Sequence, residues 1–229
     1  CNAYAHNQPL DIINLNSNAR LTQGAGLSYK SCEQFRAVMK EGDRLEFKAG
    51  NASVGIFKAT GIPKSRASLL LIPHRREANT LSAAFKSHAF MESGGSQIAV
   101  VDAYRGQEAG KVKIMDAEPV VDKASQETLK PPRVEELHYN SVVALSAGKY
   151  QVMLQGDNDR DISKMPLMVA TEQGNHVVMR TGLQGRNTTS AYPQALVVFS
   201  EMKMSRSSAA TLKLSMLAVA LSGIVALLA

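Results

Sequence analysis

The sequence predicts an all-β protein: a β-sandwich of short antiparallel strands, followed by a C-terminal transmembrane helix. From Arg44 onward, short apolar runs recur at intervals of roughly 8–12 residues with Gly or Pro between them, which is typical of sandwiches and barrels. No helical pattern alternates with these runs, so a doubly wound α/β fold is disfavoured. The last sixteen residues, 214–229, carry no charge. The chain therefore divides into a β-rich body and an apolar tail.

The composition is that of a folded protein. Of the 229 residues, 45% are hydrophobic and 20% are charged, and the formal net charge is +6. With 16 glycines, 8 prolines and 2 cysteines, the chain is neither collagen-like, disordered nor a disulfide-rich miniprotein. Aromatic residues make up only 5%, without any Trp, so the stacking platform of a nucleic-acid binder is missing. We expect no nucleic-acid partner.

Residues 1–43 are predicted to form an extended arm and one short helix over residues 31–40. Ser31 can cap this helix, and Gly42 ends it. The apolar residues that would share one helical face are Phe35, Val38 and Met39.

Residues 44–204 are predicted to form the β-sandwich domain. Solidly apolar runs such as 69–72 and 98–101 suit strands at the centre of a two-sheet core. The polar stretch 116–133 is predicted to be a long loop between two sheets; a linker between two small halves is the alternative. The predicted strands are 44–49, 52–59, 67–72, 81–90, 97–104, 111–115, 140–146, 149–155, 166–171, 176–181 and 195–200.

Residues 143–152 (VALSAGKYQV) resemble a hairpin that is common in secreted and periplasmic β-sandwich domains. In that motif the pattern L-x-x-G-x-Y-x-V closes a tight turn. The resemblance covers about ten residues, which support the fold and imply nothing about function.

Residues 205–229 are predicted to form a single-pass membrane anchor. A helix over 214–229 would be about 24 Å long, and extension back to residue 209 brings it near the roughly 30 Å of a bilayer core. Basic residues flank only the N-terminal end of this helix. The orientation of the anchor, and so the side of the membrane on which residues 1–204 lie, is left open. The small residues that would form a helix-packing face are Ala218, Ser222, Gly223 and Ala226.

Two other interpretations of the tail remain open. One is a signal for attachment of a GPI lipid, with an acceptor site at Ser205, Ser207 or Ser208. The other is a buried apolar helix in a soluble protein. We prefer the retained anchor.

Cys1 and Cys32 are the only cysteines of the chain. A disulfide between them would connect the N-terminal stretch to the predicted helix and would suit an oxidising compartment. Two unpaired thiols are the alternative.

Basic residues flank the apolar run 67–72 on both sides. Such a cluster could meet an anionic partner, either an acidic protein surface or lipid headgroups. The alternative is scattered, solvated charge. The residues of this candidate anionic-partner patch are Lys64, Arg66, His74, Arg75 and Arg76.

The sequence contains no complete catalytic or metal-binding motif, and we expect no cofactor. The glycine-rich stretch 93–96 lacks the pattern of a serine nucleophile elbow. The acidic stretch 157–161 lacks the glycine and the distal Glu of an EF-hand. The histidines, none of which has a zinc-site spacing, are His6, His74, His88, His138 and His176.

We therefore expect a non-catalytic, membrane-anchored accessory or structural subunit whose β-sandwich packs on a larger membrane protein assembly. Its partners would be the membrane and other membrane-protein subunits. The alternative is a surface-displayed module, GPI-linked in one version, that recognises carbohydrate or protein. A hydrolase or transferase built from distant loops, with His138 or His176 in its site, is the third hypothesis.

Overall fold

The computed structural model describes residues 1–92, 95–117, 120–121, 128–170, 174–184 and 192–202. This part of the chain is built of strands, with one short 3-10 turn at Asp157–Asp159. The strands are β1 (Leu10–Asn14), β2 (Ala19–Arg20), β3 (Arg44–Ala49), β4 (Ala52–Lys58), β5 (Ala67–Arg75), β6 (Ala83–Met91), β7 (Ser96–Asp102), β8 (Lys111–Asp116), β9 (Val120–Val121), β10 (Thr128–Lys130), β11 (Val134–Leu137), β12 (Ser141–Leu145), β13 (Gly148–Gln155), β14 (Asp161–Val169), β15 (Gly174–Leu183) and β16 (Tyr192–Met202).

The N-terminal sheet has the strand order β2-β1-β3-β4. Side chains along its strands alternate between buried and more exposed positions. Leu10, Ile12 and Phe47 are buried, and their neighbours along the chain are more exposed. These side chains form one face of an apolar cluster that also includes Ala83 of β6.

Two four-stranded sheets, β11-β8-β13-β14 and β12-β7-β15-β16, share a second apolar cluster. Ile98 and Val178 come from one sheet, and Val112 and Leu154 come from the other; all four are fully buried. The arrangement is consistent with the predicted β-sandwich. Strand β9 pairs with β10 in a small separate sheet within the stretch 116–133.

The hairpin of β5 and β6 lies between the N-terminal sheet and the sheet that contains β7. Even-numbered residues of β5, such as Leu70 and Ile72, pack with Val101 and Met179. Odd-numbered Leu71 packs against the cluster of the N-terminal sheet. Side chains on a strand point alternately to its two faces, so one hairpin contributes to two cores.

The predicted helix over residues 31–40 is not formed. A lone helix of this length is marginal unless it packs, and here tertiary contacts determine the path of the chain. The nitrogen of Asn2 donates to Ser31 O (2.8 Å) at one end, and that of Lys40 donates to Asp43 Oδ2 (2.9 Å) at the other.

Two further predictions on strand pairing need correction. Strand β7 runs parallel to β15, because the chain passes through the other large sheet before it returns to pair with β7. Strands β12 and β13 belong to different sheets, so the stretch that resembles a hairpin is a connection between sheets. The Tyr150 hydroxyl donates to Ser146 O (2.9 Å) within this connection.

The predicted anchor and its helix-packing face (Ala218, Ser222, Gly223, Ala226) lie outside the described residues. Within the described ranges, no helix has the length and apolar character that a bilayer crossing requires.

Candidate functional site

A cavity of about 910 Å³ lies between the N-terminal sheet, the β5–β6 hairpin and the segment after Cys32. Ligand pockets in proteins typically enclose about 300–1,000 Å³, so this cavity can hold a small molecule. Most of its lining comes from residues 32–39, 57–63, 67–71 and 85–90. We call residues 32–40 the tethered segment.

Aromatic side chains form one wall of the cavity. Phe57 of β4 and Phe85 of β6 meet edge to face, with ring centroids 4.8 Å apart. Phe47 of β3 contacts both rings, with centroid distances of 5.5 Å to Phe57 and 6.4 Å to Phe85. Packed rings of this kind give the wall a rigid, apolar surface.

The β5–β6 hairpin provides a second wall. Leu69 and Leu71 of β5 line the cavity, as does Ala89, the residue that pairs with Leu69. All three are odd-numbered, so they lie on the face of the hairpin that points away from β7. Phe199 of β16 extends the apolar lining toward the sheet that contains β7.

The tethered segment forms the third wall and is held by covalent and polar contacts. Cys1 and Cys32 form a disulfide, and the backbone nitrogen of Cys1 donates to Leu71 O (3.0 Å). Phe35 and Met39 turn inward and are partly buried against the N-terminal sheet. Val38, also in the lining, is 83% exposed, so this wall borders both cavity and solvent.

A few polar groups interrupt the apolar lining. Arg36 and Lys58 are the cations of the lining, and Glu33 is its acid. His88 also lines it; burial lowers the pKa of this imidazole and the nearby Lys86 charge lowers it further. The cavity is thus mostly apolar with a small, positively charged border, an arrangement that suits small-molecule recognition.

The five residues of the predicted anionic-partner patch are not brought together. Arg66 and Arg76 flank the nine residues of β5 at opposite ends, a separation of roughly 30 Å at the usual rise of a strand. Lys64 lies in the loop before β5, near Arg66, and both are exposed.

The C-terminal part of the patch is largely buried. His74 is 2% exposed and Arg75 is 9% exposed. The Arg75 guanidinium donates to the carbonyls of Ala5 and Thr80 and stacks on the Tyr4 ring at 4.8 Å. The Arg75 side chain thus connects the N-terminal stretch to β5, whereas the His74 ring contacts Arg75 O and Arg105. Of the patch residues at this end, only Arg76 is exposed.

The acidic stretch 157–161 and the histidines considered as catalytic residues form ion pairs or hydrogen bonds, or are exposed. Asp159 Oδ1 lies 3.4 Å from Lys113 Nζ, and Asp161 Oδ2 lies 2.6 Å from Lys164 Nζ. His138 is exposed, whereas His176 is buried with its Nδ1 3.1 Å from Ser200 Oγ. Across the described residues, no three His, Cys, Asp or Glu side chains cluster in a way that could hold a metal ion.

Sequence reasoning did not identify the cavity. The spacing of Phe35 and Met39 fits a helical face, so the sequence predicts a helix there; a Phe and a Met close to Cys32 are the signal that this stretch has an apolar role. The chain matches no protein-family model and shows no significant similarity to a curated protein.

Proposed function

We propose that this chain is a non-catalytic binding module that holds an apolar ligand, or the apolar part of one, in the cavity beneath the tethered segment. The observation that carries the proposal is the cavity itself, about 910 Å³ in volume with aromatic and aliphatic walls. Burial of apolar surface drives such binding at roughly 25 cal/mol per Å². In this proposal the two large sheets form a β-sandwich that supports the hairpin wall.

A second candidate is the accessory subunit of a membrane assembly, anchored by residues 205–229. The uncharged run LSMLAVALSGIVALLA favours it, since it approaches the length of a bilayer-spanning helix. The two proposals are compatible, because a module that binds apolar molecules can work beside a membrane. Co-purification of a stable partner from native membranes supports the second candidate; a free monomer in mild detergent opposes it.

A fluorescence titration tests the binding proposal. Nile red, an uncharged probe whose emission rises in apolar surroundings, is titrated into the full-length protein. The variant Ala89→Trp fills the cavity, whereas Val134→Trp adds the same side chain at an exposed position outside the cavity lining. Both variants keep residues 205–229, so any probe that partitions there contributes equally.

We expect Ala89→Trp to weaken Nile red binding by about tenfold or more and Val134→Trp to leave the affinity unchanged. Equal affinities for the parent chain and the Ala89→Trp variant would show that the probe binds elsewhere and would overturn the proposal. Circular dichroism of both variants verifies that the β structure is retained.

A further inference from the structure

The border of the cavity carries several cations. Arg36 and Lys58 belong to the lining itself. Lys64 and Arg66 lie in the loop from β4 to β5, next to lining residues on either side, and both are exposed. In the part of the chain that the structure describes, none of these four forms an ion pair with a carboxylate.

Two acidic side chains of this region, Glu41 and Asp43, accept hydrogen bonds from the protein itself. The Glu41 carboxylate accepts hydrogen bonds from the backbone nitrogens of Gly61 and Ile62, both at 3.1 Å. Asp43 Oδ2 accepts from Lys40 N (2.9 Å) and from the Asn14 amide (2.8 Å). These hydrogen bonds lower the pKa of Asp43. Glu41 and Asp43 therefore hold the turns beside the cavity, while the side-chain donors of Arg36 and Lys58 remain available to a ligand.

From this charge distribution we propose that the ligand is an amphiphile with one hydrocarbon chain and an anionic head, a long-chain carboxylate. The inference rests on the proposed function and adds that the site selects ligands by the charge of their head group. The hydrocarbon chain lies between the Phe57–Phe85 wall and the Leu69–Leu71 wall. The carboxylate accepts hydrogen bonds from Arg36 and Lys58 at the border.

Physical chemistry favours this ligand over a neutral or cationic one with the same chain. A charge-assisted hydrogen bond is about twice as strong as one between neutral groups, and a guanidinium can donate to both oxygens of a carboxylate. A cationic head would instead be repelled by Arg36 and Lys58. Glu33, Arg36 and Lys58 are all exposed, so water screens each of these charges, and the two cations outnumber the one acid of the lining.

Three probes that share one chain test the selection. Dodecanoate, dodecanol and dodecyltrimethylammonium are each used to displace Nile red from the full-length protein. The test variant is Arg36→Gln with Lys58→Gln. The matched control is Arg76→Gln with Arg160→Gln, which removes the same charge at two exposed positions outside the lining.

We expect dodecanoate to bind about tenfold more tightly than dodecanol, which corresponds to about 1.4 kcal/mol, and dodecyltrimethylammonium to bind most weakly. The test variant should lose the preference for dodecanoate and keep its affinity for dodecanol, while the control keeps both. Rising salt should weaken only the binding of dodecanoate to the parent and control proteins.

Two contrary results have different meanings. Equal affinity for all three probes, or an unchanged dodecanoate preference in the test variant, overturns the charge selection and leaves the apolar binding site in place. Failure of every probe to displace Nile red overturns the proposed function together with this inference.

Discussion

Among the individual residues, buried polar side chains connect the loops to the strands. Arg180 of β15 is 5% exposed, and its guanidinium lies 3.2 Å from Asp102 Oδ2 and 4.5 Å from the Tyr104 ring centre. It also donates to Gln194 and to the carbonyl of Glu108. One side chain thus connects β15 with β7, β16 and the loop before β8.

Replacement of Arg180 by Met removes this connection and the ion pair with Asp102. We expect the free energy of unfolding to fall by about 3 kcal/mol, measured by urea denaturation. Arg76→Met is the control; its side chain is exposed, so the expected change is within about 0.5 kcal/mol. Equal losses in the two variants would contradict the structural role of Arg180.

His74 gives the stability a specific pH dependence. Burial is the main cause that lowers the pKa of this imidazole to about 4, and the charges of Arg105, Lys86 and Arg76 contribute. Arg105 Nη2 lies 3.1 Å from both ring nitrogens of His74, and His74 Nδ1 lies 2.6 Å from Arg75 O. A neutral ring with its proton on Nδ1 donates to the Arg75 carbonyl, whereas a protonated ring would place a second positive charge beside the Arg105 guanidinium.

The folded-state pKa of His74 is below its ordinary value of 6.5, so the unfolded chain binds the proton more tightly. The stability from neutral His74 is therefore fully present above pH 6.5 and is lost as the pH falls toward 4. In the parent protein this effect lowers the free energy of unfolding by about 3 kcal/mol between pH 6.5 and pH 4. We expect His74→Gln to remove that loss. His138→Gln, at an exposed position, is the control; a His74→Gln curve as steep as that of the parent would refute the assignment.

The burial of His74 and Arg75 could not be predicted from the sequence. Their positions at the end of an apolar strand were visible, but the groups that satisfy Arg75 include Ala5 O, 70 residues away. A basic residue beside an apolar run is most often solvated. Only the tertiary path of the N-terminal stretch shows that these side chains are enclosed.

For the β5–β6 hairpin, neighbouring residues of one strand have different surroundings. Ile72 is fully buried in the cluster shared with β7 and β15, whereas Leu69 is 39% exposed and lines the cavity. The apolar run that predicted β5 showed that the strand is buried and did not show which residue faces which partner, because every position in the run is apolar.

The two faces predict opposite effects of leucine and isoleucine truncation. Ile72→Ala should lower the free energy of unfolding by about 2–5 kcal/mol, since it leaves a void in a closed core, and should retain Nile red binding. Leu69→Ala should cost less than about 1 kcal/mol and should weaken Nile red binding several-fold. Urea denaturation measures the stability of each variant, and the fluorescence titration measures its affinity for Nile red. A large loss of stability in Leu69→Ala together with a loss of binding in Ile72→Ala would contradict this description of the hairpin.

The tethered segment depends on its disulfide. The Cys1–Cys32 bond closes a loop with a sequence separation of 31. We expect Cys1→Ser with Cys32→Ser to lower the free energy of unfolding by about 2–4 kcal/mol and to make residues 33–40 faster to cleave in limited proteolysis. The β5–β6 hairpin, whose strand pairing does not involve the disulfide, is the internal control for proteolysis. Unchanged cleavage of residues 33–40 would show that the disulfide does not hold this wall.

At the scale of the whole molecule, strand positions were predictable from the sequence, whereas sheet membership was not. Strands β3 to β8 and β12 to β16 correspond to the predicted apolar runs, because turns rich in Gly and Pro mark their ends. For β1 and β2 the sequence predicts only an extended arm, since Asn and Gln surround their short apolar stretch. The parallel pairing of β7 with β15 joins residues about 78 apart, and no local pattern encodes it.

The same distinction explains why the cavity was not predicted. Its walls come from β4, from the β5–β6 hairpin and from a segment without regular structure, and each contributes residues that are individually unremarkable in sequence. The cavity exists because these elements do not pack fully against one another. Packing of this kind is not specified by a pattern of apolar positions.

An apolar ligand in the cavity would lie beside Met39, so methionine methyl NMR of the 229-residue protein detects its binding. Met39 lines the cavity, Met168 is exposed on β14, and Met179 is buried in the core, so three isotope-labelled methyl groups report on three environments of one molecule. On titration with dodecanoate, we predict that the Met39 signal shifts and saturates while the signals of Met168 and Met179 remain in place. A shift of Met168 without a shift of Met39, or no shift of Met39 at any dodecanoate concentration below micelle formation, would show that dodecanoate does not occupy the cavity.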